Sequence, residues 1–139
     1  MIKNNRLVIG VIGNDIHIVA NRVMARGLRM AGYQVCNLGV SNLPEDFVFS
    51  AIEYEADVVI VSTINGEGED WAIGLPDAFS KAGCGNVILY IGGNLALGEK
   101  PKDEIEARFL DFGFNRAYHR PDHLDILLDD LSKDLAIND

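Results

Sequence analysis

An aspartate and a histidine stand two positions apart at the end of an apolar run near the start of the chain, as Asp15 and His17 in VIGNDIHIVA. In an extended loop such side chains project to the same side. Asp15 can then accept a hydrogen bond from one ring nitrogen of His17 while the other nitrogen faces a ligand. A carboxylate commonly orients a metal-bound histidine in this way. The same pair could instead cap a helix or bond the backbone, so both interpretations stay open.

Composition limits the classes of protein to which the chain can belong. Its 139 residues are 48% hydrophobic and 24% charged, which predicts a single globular domain over residues 1–139. The formal net charge of −9 disfavours nucleic acid and anionic membranes as partners. No apolar run approaches the roughly 20 residues that span a bilayer, so we expect a cytoplasmic protein. Cys36 and Cys84 have no second thiol at metal-ligand spacing and are expected to stay reduced.

Short apolar runs alternate with stretches that have the apolar spacing of helices. The runs predict strands at 7–12, 33–38, 58–61, 87–91 and 116–118. Helices are predicted at 19–31, from 44, at about 70–82, after 101 and from 122. This alternation indicates an α/β fold, a Rossmann or flavodoxin-like five-stranded parallel sheet with helices on both faces. The common strand order for a chain of this size is 2-1-3-4-5.

Three loops are expected to meet at one edge of that sheet. In this strand order, ligands bind outside the carboxyl ends of the strands, where the first and third strands lie side by side. The loops after the first, third and fourth strands carry, in chain order, Asp15 with His17, Ser62 with Ile64, and Gly92 with Gly93. Residues scattered along the chain should therefore become neighbours, which favours a binding site over a local cap.

A ligand with a phosphate group is the main alternative at this edge, because helix N-termini attract anions. However, the first turn lacks G-x-G-x-x-G, the chain has no G-x-x-x-x-G-K-[ST], and Asp15 would repel an anion. A phospho-accepting aspartate of the signal-receiver type would need an acidic cluster and a partner lysine. The sequence has no such lysine near the third or fourth strand end.

The three loop motifs together resemble a known signature. The chain reads D-x-H-x-x-A at 15–20, S-x-I at 62–64 and G-G at 92–93, which is similar to the cobalamin-binding pattern D-x-H-x-x-G, S-x-L, G-G. From about Val8 to the last helix, the chain resembles the small subunits of glutamate mutases, also called methylaspartate mutases. It departs from the pattern at Ala20, which replaces a glycine and adds a methyl group, and at Ile64, which replaces a leucine of similar volume.

The resemblance implies a cofactor, adenosylcobalamin, with His17 as the lower cobalt ligand and Asp15 orienting it. The displaced nucleotide tail of the cofactor would then follow the remaining motif residues, Ala20, Ser62, Ile64, Gly92 and Gly93. It also implies a radical rearrangement between L-glutamate and threo-3-methylaspartate, carried out with a larger barrel-type subunit. This chain would be a subunit of that isomerase that is inactive without its partner. It would have no catalytic residue beyond the cofactor ligand. Few basic residues lie near the three loops, so substrate carboxylates should be held by the partner.

Several alternatives remain at this point. A corrinoid carrier for methyl transfer or for another mutase would use the same histidine, although methyltransferase carriers add a helical domain before the fold, and acyl-coenzyme A mutases commonly read D-G-H. A non-catalytic protein of the same fold would also fit the replacement at Ala20. We expect His119 and His123 to be surface residues and Trp71 to serve in packing.

Overall fold

The computed structural model describes residues 5–13, 18–63, 68–121 and 123–137, and five strands and six helices lie within those ranges. The strands are β1 (Arg6–Val11), β2 (Gln34–Asn37), β3 (Val58–Thr63), β4 (Ile88–Gly93) and β5 (Arg116–His119). The helices are α1 (Ile18–Met30), α2 (Pro44–Tyr54), α3 (Gly68–Ala72), α4 (Leu75–Lys81), α5 (Lys102–Phe112) and α6 (Leu124–Ile137). Among these helices, none is long and apolar enough to cross a membrane.

The five strands form one parallel sheet in the order β2-β1-β3-β4-β5, which confirms the predicted topology. Strand β3 lies in the centre, where Val11 of β1 pairs with Ser62 and Gly93 of β4 pairs with Thr63. The carboxyl ends of β1, β3 and β4 therefore lie side by side. This places the loops that follow them at one edge.

Alternate residues of the central strands pack on opposite faces of the sheet, as the period of a strand requires. Leu7 and Ile9 face α1 and α6, whereas Val8 between them faces the other helices. The α1 and α6 face also contains Ala25, Leu28, Val58, Ile60, Tyr90, Leu131 and Leu135. The opposite face is built on Phe47, Ala51, Val59, Val61, Phe79, Leu89, Ile91 and Phe109. Burial on both faces explains why the strands read as continuous apolar runs.

The segment predicted as one helix at about 70–82 forms two helices, α3 and α4, so that prediction was wrong. Gly74 precedes α4, and Pro76 lies in its first turn. A proline there has no amide hydrogen to continue an earlier helix, but its fixed φ suits the start of a new one. Trp71 of α3 packs over Gly13, where an added Cβ would lie 2.7 Å from the indole ring, in agreement with its expected packing role.

Polar side chains fasten α6 to the last two strands. Asp134 accepts hydrogen bonds from the Tyr90 hydroxyl and from Arg116, whose Nε and Nη2 lie 2.8 and 2.9 Å from the carboxylate oxygens. Asp130 accepts a bond from the Tyr118 hydroxyl at 2.7 Å and pairs with Arg116 at 3.2 Å. The hydrogen bonds from Arg116 hold the pKa of Asp134 below its ordinary value. The contribution of Asp134 to this network is therefore greatest while its carboxylate is ionised.

We predict that Asp134→Asn lowers the free energy of unfolding at neutral pH by about 1–3 kcal/mol, because it weakens a half-buried charged pair. The folded-state pKa of Asp134 lies below its unfolded value of about 3.9. Its contribution is therefore complete above that pH and is lost as the pH falls through the folded-state pKa. Denaturant titrations from pH 7 to pH 3 should show a shallower acid loss in the variant than in the parent.

The matched control for this prediction is Asp129→Asn, an exposed carboxylate on the same helix. It removes the same charge without touching the network and should change stability by less than about 0.5 kcal/mol. Equal effects of the two substitutions at every pH would contradict a role for the network.

Candidate functional site

A cavity of about 550 Å³ opens between α1, α6 and the carboxyl edge of the sheet. Its volume lies within the range of about 300–1,000 Å³ that is usual for small-molecule sites. The residues that line it are Val11, Ala20, Asn21, Val23, Met24, Ile60, Ser62, Gly92, Gly93, Asn94, Tyr118, Arg120, Pro121, His123, Leu124 and Leu127. Most of this wall is hydrocarbon, so it suits a largely apolar ligand with a few acceptors.

Four of the seven residues predicted for the site line this cavity: Ala20, Ser62, Gly92 and Gly93. Ser62 is 7% exposed near the end of β3, and Ala20 lies exposed in the first turn of α1. Parallel pairing aligns Ser62 with Gly92 directly. The other three predicted residues, Asp15, His17 and Ile64, lie outside the described residues.

The two glycines serve different purposes, although the sequence shows them as one motif. Gly93 has a φ of 118°, and a Cβ there would lie 2.0 Å from the backbone oxygen of Thr63, so only glycine fits. Gly92 is extended, and a Cβ there would lie at an ordinary 3.5 Å from Tyr118. Strand geometry therefore requires Gly93. At Gly92 no backbone constraint excludes a side chain, and its small size leaves room in the cavity.

Asn21 was not predicted as a site residue, yet it is a buried polar group in the cavity wall. It is 2% exposed, and its Oδ1 accepts a hydrogen bond from Nδ2 of Asn37 at 2.8 Å. Its own Nδ2 has no partner among the described residues. The sequence did carry a signal, because Asn21, Ala25 and Leu28 share the buried face of α1. An asparagine on the apolar face of a helix requires a hydrogen-bonding partner.

Arg120 follows β5 and is distant in sequence from the three motif loops, but the structure brings it to the cavity wall. Its φ is 48°, and its backbone N–H donates to the Gly93 oxygen at 2.7 Å. The guanidinium Nε donates to Oδ1 of Asn94 at 3.0 Å, and Nη2 donates to the Gly98 oxygen at 3.1 Å. The wall thus contains one fixed cation beside the end of β4.

The expectation that His119 is a surface residue was wrong, because the side chain is 3% exposed. Its Nδ1 accepts a hydrogen bond from the Leu95 N–H at 3.1 Å. Burial, and next the nearby positive charge of Arg120, lower the pKa of His119. The imidazole is therefore a neutral structural group that ties β5 to the loop after β4. His123, by contrast, is exposed at the cavity rim, as expected.

The residues present fit the tail of a cobalamin. The cavity can take a flat aromatic base against Gly92 and the apolar wall, while Ser62, Asn21 and Arg120 lie in the same wall near its polar groups. Among the described residues, no three His, Cys, Asp or Glu side chains are grouped as a metal site.

Comparison with known proteins agrees with this fit. The B12 binding domain family matches residues 5–108. The chain is 37% identical to the glutamate mutase sigma subunit of Clostridium tetani over 135 residues, which are 97% of this chain and 98% of that protein. It is 42% identical to the glutamate mutase sigma subunit of Carboxydothermus hydrogenoformans over 116 residues, which are 84% of this chain and 85% of that protein.

A solved structure has the same fold. The novel cobalamin-binding protein from Desulfitobacterium hafniense superposes with a TM-score of 0.68 at 18% identity, covering 84% of this chain and 53% of that one. The solved structure agrees in fold, and the sequence matches show the family. The chain belongs to the B12 binding domain family and, within it, to the glutamate mutase sigma subunits.

Proposed function

We propose that this chain carries adenosylcobalamin for a mutase that interconverts L-glutamate and threo-3-methylaspartate together with a larger, barrel-type subunit. The observation that carries the proposal is the meeting of Ala20, Ser62, Gly92 and Gly93 on one cavity at the carboxyl edge of the sheet. Three separate parts of the chain contribute to that wall, and the same parts carry the motif of a family whose members are glutamate mutase subunits.

The described residues would hold the nucleotide tail of the cofactor. The base would occupy the cavity against Gly92, and the Ser62 hydroxyl would offer it a hydrogen bond. Arg120 supplies positive charge for the phosphate group of the tail. Ala20 brings a methyl group where the cobalamin-binding motif has glycine. This methyl group adds apolar contact at the mouth of the cavity.

His17 and Asp15 complete the proposal. Position 17 directly precedes Ile18, the first residue of α1, and Ala20 and Asn21 of that helix already line the cavity. We assign His17 as the lower cobalt ligand, oriented by Asp15, because the cobalamin-binding motif has its histidine at this position. When bound, adenosylcobalamin supplies a carbon-centred radical by homolysis of its cobalt–carbon bond. The part of this chain is to hold the cofactor, replace its own base and keep the imidazole in one orientation.

A partner is needed because the described part of the cavity wall offers too few cations for a dicarboxylic substrate. Arg116 is engaged by Asp130 and Asp134, and Arg108 by Glu69. Among the described residues of the cavity wall, Arg120 is the one Lys or Arg. Glutamate carries two carboxylates, which proteins usually hold with more than one basic group. Val19 and Val23 of α1 are also 73% and 64% exposed beside the cavity, an apolar rim suited to being covered by cofactor and partner.

We predict that adenosylcobalamin bound to this chain loses its own base from cobalt and gains a protein imidazole. In His17→Ala, affinity should fall by about 10- to 100-fold, as for the loss of a group that fixes a metal site. Visible absorption during titration measures both effects, since the spectrum depends on the axial ligand. His123→Ala tests the other imidazole near the cavity and should keep the spectrum of the parent.

Three results would contradict this ligand assignment. The first is a bound cofactor that retains its own base on cobalt in the parent chain. The second is equal binding and an unchanged spectrum in His17→Ala. The third is loss of the imidazole signature in His123→Ala.

We further predict that the chain, mixed with adenosylcobalamin and the large subunit of a glutamate mutase, produces threo-3-methylaspartate from L-glutamate. The chain alone should produce none, because the described part of the cavity wall has one basic residue for the two carboxylates of the substrate. The measurement is product formation by chromatography, with His17→Ala at equal concentration as the matched control. Firm cobalamin binding without any mutase activity would contradict the mutase assignment and favour a corrinoid carrier for methyl transfer or for another mutase.

A further inference from the structure

Asn21 has a hydrogen-bond donor that the described part of the chain leaves unused. The side chain is 2% exposed and belongs to the cavity wall, and its Nδ2 atom is buried without a partner among the described residues. Buried polar groups in folded proteins are nearly always hydrogen-bonded. An unpaired one at a binding cavity therefore calls for an explanation in terms of what the cavity holds.

The orientation of this donor is fixed by its neighbours. The Gly39 N–H donates to Oδ1 of Asn37 at 2.9 Å, so that carboxamide must present its nitrogen to Asn21. Asn37 Nδ2 then donates to Oδ1 of Asn21 at 2.8 Å. Rotating the Asn21 carboxamide by half a turn would set two NH₂ groups against each other. Nδ2 of Asn21 is therefore the atom left for another acceptor.

The cavity is the space from which such an acceptor can come. The next residues on the buried face of α1, Ala25 and Leu28, pack in the core and offer no side-chain acceptor. Val23 and Met24 on the cavity side are apolar as well. A ligand that enters this cavity can bring an acceptor to Asn21 that the neighbouring side chains of α1 do not supply.

We propose that Asn21 is a specificity-determining residue, whose Nδ2 donates to an acceptor on the nucleotide tail of the cofactor. This rests on the proposed function, since the tail is what would occupy the cavity. The tail offers phosphate, ribose and ring-nitrogen acceptors, and the bonds from Gly39 to Asn37 and from Asn37 to Asn21 fix which atom of the Asn21 carboxamide is the free donor. Asn21 thus distinguishes a corrinoid with a nucleotide tail from one without it.

The test compares hydroxocobalamin with hydroxocobinamide, which has the same corrin ring and cobalt but no nucleotide tail. Asn21→Asp keeps an oxygen that accepts the bond from Asn37 and replaces the donor Nδ2 by an acceptor. We expect its dissociation constant for hydroxocobalamin to rise about tenfold, the usual effect of one hydrogen bond. The dissociation constant for hydroxocobinamide should stay within about twofold of the parent, because this ligand lacks the tail to which the donor would bond.

Calorimetric titration gives both constants, and thermal unfolding of each chain without ligand reports on folding. Arg22→Ala, an exposed neighbour on α1, is the matched control and should change neither constant. Asn21→Ala also removes the donor and is read in the same way if the aspartate variant does not fold.

Each other outcome overturns the inference. If a variant binds hydroxocobalamin and hydroxocobinamide with equally reduced affinity, Asn21 is a general structural residue. If both variants fail to fold, the conclusion is the same. Unchanged binding of hydroxocobalamin by the variants would show that the donor is unused. If the parent chain itself fails to bind hydroxocobalamin, the proposed function fails first, which is a distinguishable result.

Discussion

The close approach of β4 to β3 at their carboxyl ends is the constraint on which the site depends. Gly93 lies so near the Thr63 carbonyl that no side chain can stand there, and this oxygen accepts the Asn94 N–H at 2.8 Å. The Gly93 carbonyl in turn accepts the Arg120 N–H at 2.7 Å. These bonds align the carboxyl ends of β3, β4 and β5 at one edge of the sheet. The loops after them therefore open towards the same side, and small side chains, those of Ser62, Gly92 and Gly93, form the part of the cavity wall at the sheet edge.

Much of this arrangement could be predicted from sequence because it follows from periodicity. The β-branched run at 58–61 and the amphipathic spacing of α6 predicted the strand and the helix, and the alternation of elements predicted the sheet order. That order then predicted that Ser62, Gly92 and Gly93 would meet. The division into α3 and α4 was missed because the apolar spacing continues past Pro76, although the proline itself marks the new start.

The unpredicted features are those set by contacts between distant parts of the chain. His119 is buried because the Leu95 N–H, 24 positions away, donates a hydrogen bond to its ring. No local sequence pattern predicts that contact. Arg120 reaches the cavity because β5 pairs with β4 at Gly93. The unused donor of Asn21 depends on Asn37 in the neighbouring strand. Sequence patterns report which face of an element is buried, whereas pairing of individual polar atoms requires the assembled sheet.

Polar groups are distributed unevenly around α6, and this distribution suits a carrier of a large cofactor. The side of the helix beyond the cavity is held by charged pairs to Arg116, while the cavity side offers Leu124 and Leu127. The helix can therefore stay fastened whether or not the cavity is filled. Charged bonds hold the scaffold, and an apolar wall with a few donors is left for the ligand.

The most direct measurement is a crystal structure of this chain with cobalamin bound. We predict that the benzimidazole of the cofactor lies in the cavity against Gly92 and between α1 and α6, with an imidazole nitrogen of His17 on cobalt. A structure in which the benzimidazole remains on cobalt, or in which the tail lies outside this cavity, would contradict it.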